Sequence, residues 1–398
     1  MIRIIWLFAV VPLLGLPRTV GSATVSDSSS FFARGELKGA TVTGVDSTPQ
    51  LDLSFMFRHV TVTGAYAPRL VLASLAAPQD LRLMVLHNAL ASVRYTNRRS
   101  QISLGQYLSI GEQYLGTLPQ QVSRDALSPI PPSTSRAPLL ATTDSLRISD
   151  GTTSFVATHR WTERWTSGFY ASYALIGGAD AASRALSPRF KTAAFATPLD
   201  HRLTERAELQ LRASASYVET SVGPQYWISD LTTTWRMTWA PDLTTTLTGG
   251  AAWLESRRDD TGWEARAAPT IAASVSQKLR RRLVSVTLRG GGSIAPYVNA
   301  LTAELQTTMQ GSVATVLAIE KTEVVLSADG SRSLPLDASD RFRVLGIGAR
   351  LNQAVVDWLL AYAQFRALEQ HVLGSSLSLR PQWLLLAGVS LSAPRLDF

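Results

Sequence analysis

Residues 206–217 read Arg-Ala-Glu-Leu-Gln-Leu-Arg-Ala-Ser-Ala-Ser-Tyr. Ala207, Leu209, Leu211, Ala213, Ala215 and Tyr217 fall on one face of an extended chain, and Arg206, Glu208, Gln210, Arg212, Ser214 and Ser216 on the other. A strand sends successive side chains to opposite faces, so the stretch has one apolar face and one charged or hydroxyl face. A soluble sandwich uses such strands too. Here the pattern recurs along the chain behind an export signal, which points to a transmembrane β-barrel with lipid outside and water inside.

The repetition is period two. Trp165, Ser167, Phe169, Ala171, Tyr173 and Leu175 oppose Thr166, Gly168, Tyr170, Ser172 and Ala174; Leu231, Thr233, Trp235, Met237 and Trp239 oppose Asp230, Thr232, Thr234, Arg236 and Thr238. Both sets fit a half-buried strand better than a 3.6-residue helix. Strands are expected near Arg34–Gly44, Gln50–Phe57, His59–Ser74, His87–Asn97, Ser100–Glu112, Arg147–Arg160, Arg164–Ile176, Arg189–Thr197, Arg202–Val218 and Tyr226–Trp239. The series continues through Leu243–Glu255, Trp263–Gln277, Arg282–Gly290, Tyr297–Met309, Val313–Ser327, Arg341–Leu351, Ala354–Leu368 and Leu377–Ala393. The expected fold is therefore all-β: an antiparallel up-and-down barrel of about 18 strands, with 16 as the alternative.

Connections sort into short and long. Short turns are expected near Thr162-Glu163, Leu199-Asp200-His201, Ala240-Pro241-Asp242, Leu279-Arg280, Gln310-Gly311 and Asn352-Gln353. Long polar links are expected at Gly177–Pro188, Glu219–Gln225, Ser256–Gly262, Gly290–Pro296, Ala328–Asp340 and Glu369–Ser376. Such alternation is that of outer-membrane barrels, short turns on the periplasmic side and loops outside. The longest link, 115–145, carries Pro119, Pro129, Pro131, Pro132 and Pro138, and either folds inward as a constriction or lies outside.

The N-terminus reads as a cleaved export signal over residues 1–23, leaving 24–398 as the barrel. Arg3 precedes the apolar run Ile4–Leu16, which is broken by Pro12 and Gly15, and Gly21-Ser22-Ala23 supplies small residues for cleavage after Ala23. About ten mature residues then precede Arg34, too few for a plug domain. There is no cysteine, hence no lipoprotein anchor, disulfide or thiolate metal site. The net charge of +8 falls to about +6 without Arg3 and Arg18, and 34 of the 38 basic residues are arginine. Codon usage accounts for that ratio, but not for where the arginines sit.

The inward face is the candidate site. Arg94, Arg206, Glu208, Arg212, Asp230, Arg236, Glu264, Arg266, Arg289, Glu304 and Arg366 are expected to line the lumen, with Gln306 and Gln364 beside them. These groups either pair across strands and stiffen a filled barrel or line a hydrated channel; 16–18 strands leave an aqueous lumen. The five histidines are scattered, with neither a metal-spaced pair nor a Gly-x-Ser-x-Gly element, so neither an enzyme nor a cofactor is indicated. The expected partners are outer-membrane lipid and the barrel assembly machinery, with no nucleic acid.

The stretch Ser92-Val-Arg-Tyr-Thr-Asn-Arg-Arg-Ser-Gln-Ile-Ser-Leu-Gly-Gln, followed by Gly111-Glu112-Gln113, resembles hairpins of large myxobacterial outer-membrane barrels, among them the Wzp-type polysaccharide-export porins. The terminal Phe398 resembles the last-strand signal read by the assembly machinery, although Ser390, Ser392 and Pro394 share its face. The resemblance implies an 18-stranded outer-membrane channel, a conduit for a secreted polysaccharide served by a separate periplasmic export protein. A general diffusion porin for small hydrophilic solutes, and an occluded structural or adhesive barrel, are the alternatives.

Overall fold

The computed structural model describes residues 20–36, 41–74, 81–114, 134–135, 145–221, 223–258, 262–281, 283–299, 305–335, 341–373, 381–393 and 396–397. Its wall is made of β1 (Val20–Glu36), β2 (Thr41–Met56), β3 (Val60–Tyr66 continued by Arg69–Ser74), β4 (Leu81–Thr96), β5 (Ser100–Tyr114) and β6 (Ser145–Arg160). Next come β7 (Trp165–Ile176), β8 (Phe190–Arg202), β9 (Ala207–Thr220), β10 (Gln225–Ala240), β11 (Leu243–Arg258) and β12 (Gly262–Arg281). The last six are β13 (Val284–Asn299), β14 (Leu305–Ile319), β15 (Thr322–Pro335), β16 (Arg341–Val356), β17 (Leu359–Leu373) and β18 (Gln382–Ser392). A short helix, α1 (Ala181–Leu186), sits in the link between β7 and β8. Each strand pairs antiparallel with the next, and β1 closes on β18 from Ser26↔Ser392 to Glu36↔Gln382. The wall is a closed antiparallel barrel of 18 strands.

The two faces separate as the alternation requires. Leu211, Leu231, Leu247, Ile271, Val313 and Ile347 are exposed on the outer face, as large apolar residues must be where the solvent is lipid. Trp227 and Trp239 share this face of β10, roughly 30 Å apart at ~3.3 Å per residue and a tilt near 40°. Trp239 Nε1 donates to Thr245 Oγ1 at 2.9 Å, tying down the polar edge of the ring at the short-turn end.

The eighteen strands are not all where the sequence pattern put them. Arg34–Gly44 straddles the end of β1 and the start of β2, and Gln50–Phe57 is only the second half of β2. β1 begins at Val20, and Ala23 pairs with Leu53. Ser26–Ser30 carries hydroxyls on both faces, so its alternation is invisible in the sequence. Tyr297–Met309 and Val313–Ser327 are likewise displaced from β13–β15. Gly290–Pro296 lies within β13, Gln310-Gly311 within β14, and the turn falls at Glu320-Lys321, with Glu320 at φ 49°. Glycines read as turns there are in fact wall positions. Leu199-Asp200-His201, Leu279-Arg280 and Asn352-Gln353 lie inside β8, β12 and β16, and the chain reverses a few residues later, as at Leu203–Arg206 and Asp357-Trp358. The count survived because each displaced boundary was compensated by its neighbour.

Candidate functional site: the inward face

The inward rows are dominated by serine, threonine and charged residues at mid-height. Glu208 in β9 stands opposite Arg236 in β10, Oε2 4.0 Å from a guanidinium nitrogen. Both side chains are well exposed, so the pair contributes little to stability. Ser214 Oγ donates to Asp230 at 2.6 Å across the same pair of strands, and Gln210 Nε2 donates to Asp200 at 2.6 Å. Arg212 stands between Pro198 and Thr232 on the same inward face. Glu264 and Arg266, two apart on β12, approach to 3.5 Å. Arg94 in β4 and Arg289 in β13 are exposed and carry no ion pair among the described residues.

Arg366 in β17 reaches over β16 to Asp329 in β15 at 3.5 Å. This reach needs a bare wall. Asp329 faces Gly346, where a Cβ would lie 2.9 Å from both carboxylate oxygens. Glycine at 346 is thus what lets the acid lie along the wall within range of the arginine. Of the remaining expected lining residues, Arg206 sits in the turn before β9 rather than in the strand, and Glu304 lies outside the described residues. Gln306 is buried and accepts from Tyr297 Oη at 3.1 Å, so it belongs to the packed tip of β13–β14.

Sequence reading missed three features of this face. Asp46 and Arg69 form a buried ion pair with Nε 3.0 Å and 2.9 Å from the two carboxylate oxygens, supplemented by a contact from the second guanidinium nitrogen. The inward row of β4 holds Asn88, which accepts from Tyr107 Oη at 3.0 Å and Ser109 Oγ at 2.8 Å and donates to the Ala67 carbonyl at 3.0 Å. A third feature is apolar. Near the loop end Phe190, Val218, Tyr226, Ile228, Ala252, Leu254 and Ala268 form a buried cluster with Val298, and Phe32, Val42, Val71, Met84, Leu384 and Leu386 form another. The β12–β13 pairing stops at Ile271↔Ile294, while β13 continues paired with β14 to Val298↔Leu305. The tip of that hairpin therefore leaves its neighbour and carries Val298 against the inner wall. Thr134–Ser135, from the link between β5 and β6, pair in parallel with Val298–Asn299 eight strands away. These two residues thus lie on the opposite side of the mouth.

No group of three or more potential metal ligands occurs among the described residues. Ser100 Oγ lies 2.7 Å from His159 Nδ1, beside a cavity whose other described lining residues are Arg58, His59, Asn97, Arg98 and Arg99.

Together, an apolar outer girdle, a closed wall and a polar inner face define an integral membrane β-barrel of the outer-membrane type. No family model and no curated protein matches the chain. Among solved structures it is similar to the FrpB iron transporter from Neisseria meningitidis, F3-3 variant, at 10% identity and TM-score 0.52, over 92% of this chain and 64% of that one. The apoprotein form of the F5-1 variant gives 9% identity and TM-score 0.53, over 92% and 63%. Pseudomonas aeruginosa OccK2 (OpdF) gives 14% identity and TM-score 0.48, over 94% and 98%. The chain thus spans less than two thirds of the length of the FrpB structures, and at these identities the likeness is one of fold.

Proposed function

We propose that the protein is a passive outer-membrane channel for small hydrophilic solutes with a mild preference for anions. The observation that carries this reading is the inward face: hydroxyl and charged side chains at mid-height, with Arg94 and Arg289 exposed and free of ion pairs among the described residues. Eighteen strands at ~4.8 Å spacing and a tilt near 40° enclose a barrel roughly 35 Å across, backbone to backbone, wide enough for water after side chains are added. The similar folds include an iron transporter, which agrees with a transport role. Planar-bilayer recording of the purified protein tests it: stepwise conductance with a reversal potential displaced toward that of the anion is expected, and no conductance at any voltage, with or without residues 115–144, overturns it.

The second reading is an occluded barrel. It is favoured by the buried apolar clusters at the loop end and by the parallel pairing of Thr134–Ser135 with β13, which narrow the mouth. The same recording separates the two. A polysaccharide conduit rests on the hairpin resemblance at Ser92–Gln106 and Gly111–Gln113; loss of one surface polymer on gene deletion, with solute uptake unchanged, is its test.

A further inference from the structure

The outer face of β1–β4 departs from the rest of the girdle. Asp27 is the eighth of the seventeen residues of β1, at mid-height, and its register partners Leu391 and Pro49 are on the lipid side. Its carboxyl group accepts from Ser29 Oγ at 2.9 Å and from Ser47 Oγ at 3.1 Å, and the two serines touch at 3.1 Å. Exposed Val25, Phe31, Val45 and Leu51 surround them, which shows that this cluster belongs to the outer face and not to the lumen. Beside it the β2–β3 ladder opens: pairing runs to Leu51↔Tyr66 and resumes in the same phase at Ser47↔Leu70, with Pro49 and Pro68 in the gap. On β4, His87 is the seventh of sixteen residues, also at mid-height, and its Nδ1 lies 2.7 Å from Tyr66 Oη on the same face. Across the barrel, β9–β12 present Leu211, Leu231, Leu247 and Ile271 at that level.

An ionisable side chain in the hydrocarbon layer is costly. That cost is relieved if protein covers the face. We infer that the outer face of β1–β4 is the contact surface for a second copy of this chain in the membrane. The patch holds an acid, Asp27, and a base, His87, within one rim of apolar side chains, so it is self-complementary, as an isologous two-fold contact requires. The inference is independent of whether the lumen conducts.

The chain has no cysteine, so single substitutions report cleanly. Leu70→Cys places a thiol on the outer face beside Ser47, and Leu247→Cys places one on the far side of the barrel. Treatment of membranes from expressing cells with a short bis-maleimide is expected to give a covalent dimer of the full chain from Leu70→Cys and at least tenfold less from Leu247→Cys. Adding Asp27→Leu, Ser29→Ala and Ser47→Ala to Leu70→Cys is expected to cut the dimer at least tenfold, while the heat-dependent mobility shift on electrophoresis shows that the barrel still folds. Equal coupling at both cysteines, an adduct whose mass is not twice that of the chain, or undiminished coupling in a folded combined variant overturns the inference.

Discussion

Arg69 grips Asp46 from the neighbouring strand on the inward side of the wall, next to the place where the β2–β3 ladder is open. Only 9% of each side chain remains exposed, so water cannot stand in for either partner. Removing one partner strands a buried charge. Asp46→Ala or Arg69→Ala is expected to lower stability by about 3–5 kcal/mol, whereas Asp46→Leu with Arg69→Met together costs much less. Urea unfolding in lipid vesicles, followed by tryptophan fluorescence, gives both values; equal losses in the single and double variants contradict the account.

Adjacent residues of β11 report which face meets lipid. Leu247→Arg is expected to cost roughly 2–4 kcal/mol because it places a cation in the apolar girdle, and Thr246→Arg, pointing inward, close to nothing. Unfolding midpoints of the two variants, compared side by side, decide it; a reversed order exchanges the faces.

Charge on the inner face sets ion preference if the lumen conducts. Arg94→Glu with Arg289→Glu changes two positive groups that carry no ion pair among the described residues to negative ones. The reversal potential in a salt gradient is expected to move toward the cation's, with single-channel conductance altered less than twofold. An unchanged potential removes these two arginines from the pathway.

Gly111 adopts φ 142°, and a Cβ there would lie 2.2 Å from the carbonyl oxygen of Val85. Gly111→Ala meets both a backbone clash and an unfavourable conformation, and is expected to cost about 2 kcal/mol or more. Gly249→Ala serves as the control, because no atom lies within 4 Å of the added carbon. Matching stabilities would refute the strain.

Asp180 caps α1 by accepting from the Ser183 N–H at 2.8 Å, and this backbone hydrogen bond, with the Ser183 hydroxyl, holds its carboxyl below the usual carboxylate range. A depressed folded-state value means that the cap's contribution is present above the ordinary carboxylate range and is lost as pH falls through the depressed value. The protection of the Ser183 amide from hydrogen exchange, relative to its intrinsic rate at each pH, is expected to fall in that acid window and to be low at every pH in Asp180→Ala.

Alternation at Arg206–Tyr217, Trp165–Leu175 and Leu231–Trp239 was enough to give the class, because a period of two on one strand already assigns lipid and lumen faces. Where both faces carry hydroxyls, as at Ser26–Ser30, or where glycine replaces a side chain, as at Gly290–Gly292, the strand leaves no periodic trace, and there the boundaries shifted. Parity alone puts Glu208, Asp230 and Arg236 on one face of their strands. It does not give partners, since Arg366 meets Asp329 only through a gap at Gly346, and Asp46 meets Arg69 only through strand register.

The sequence by itself determined an all-β barrel of about 18 strands with an apolar outside and a polar inside, because side-chain direction in a strand is a local property of the backbone. Tertiary structure alone decided where each strand begins, which charges are paired, that Thr134–Ser135 pair with the far wall, and that Asp27 faces outward among apolar neighbours. These depend on register and closure, which couple residues hundreds of positions apart and leave no mark on any single stretch of chain.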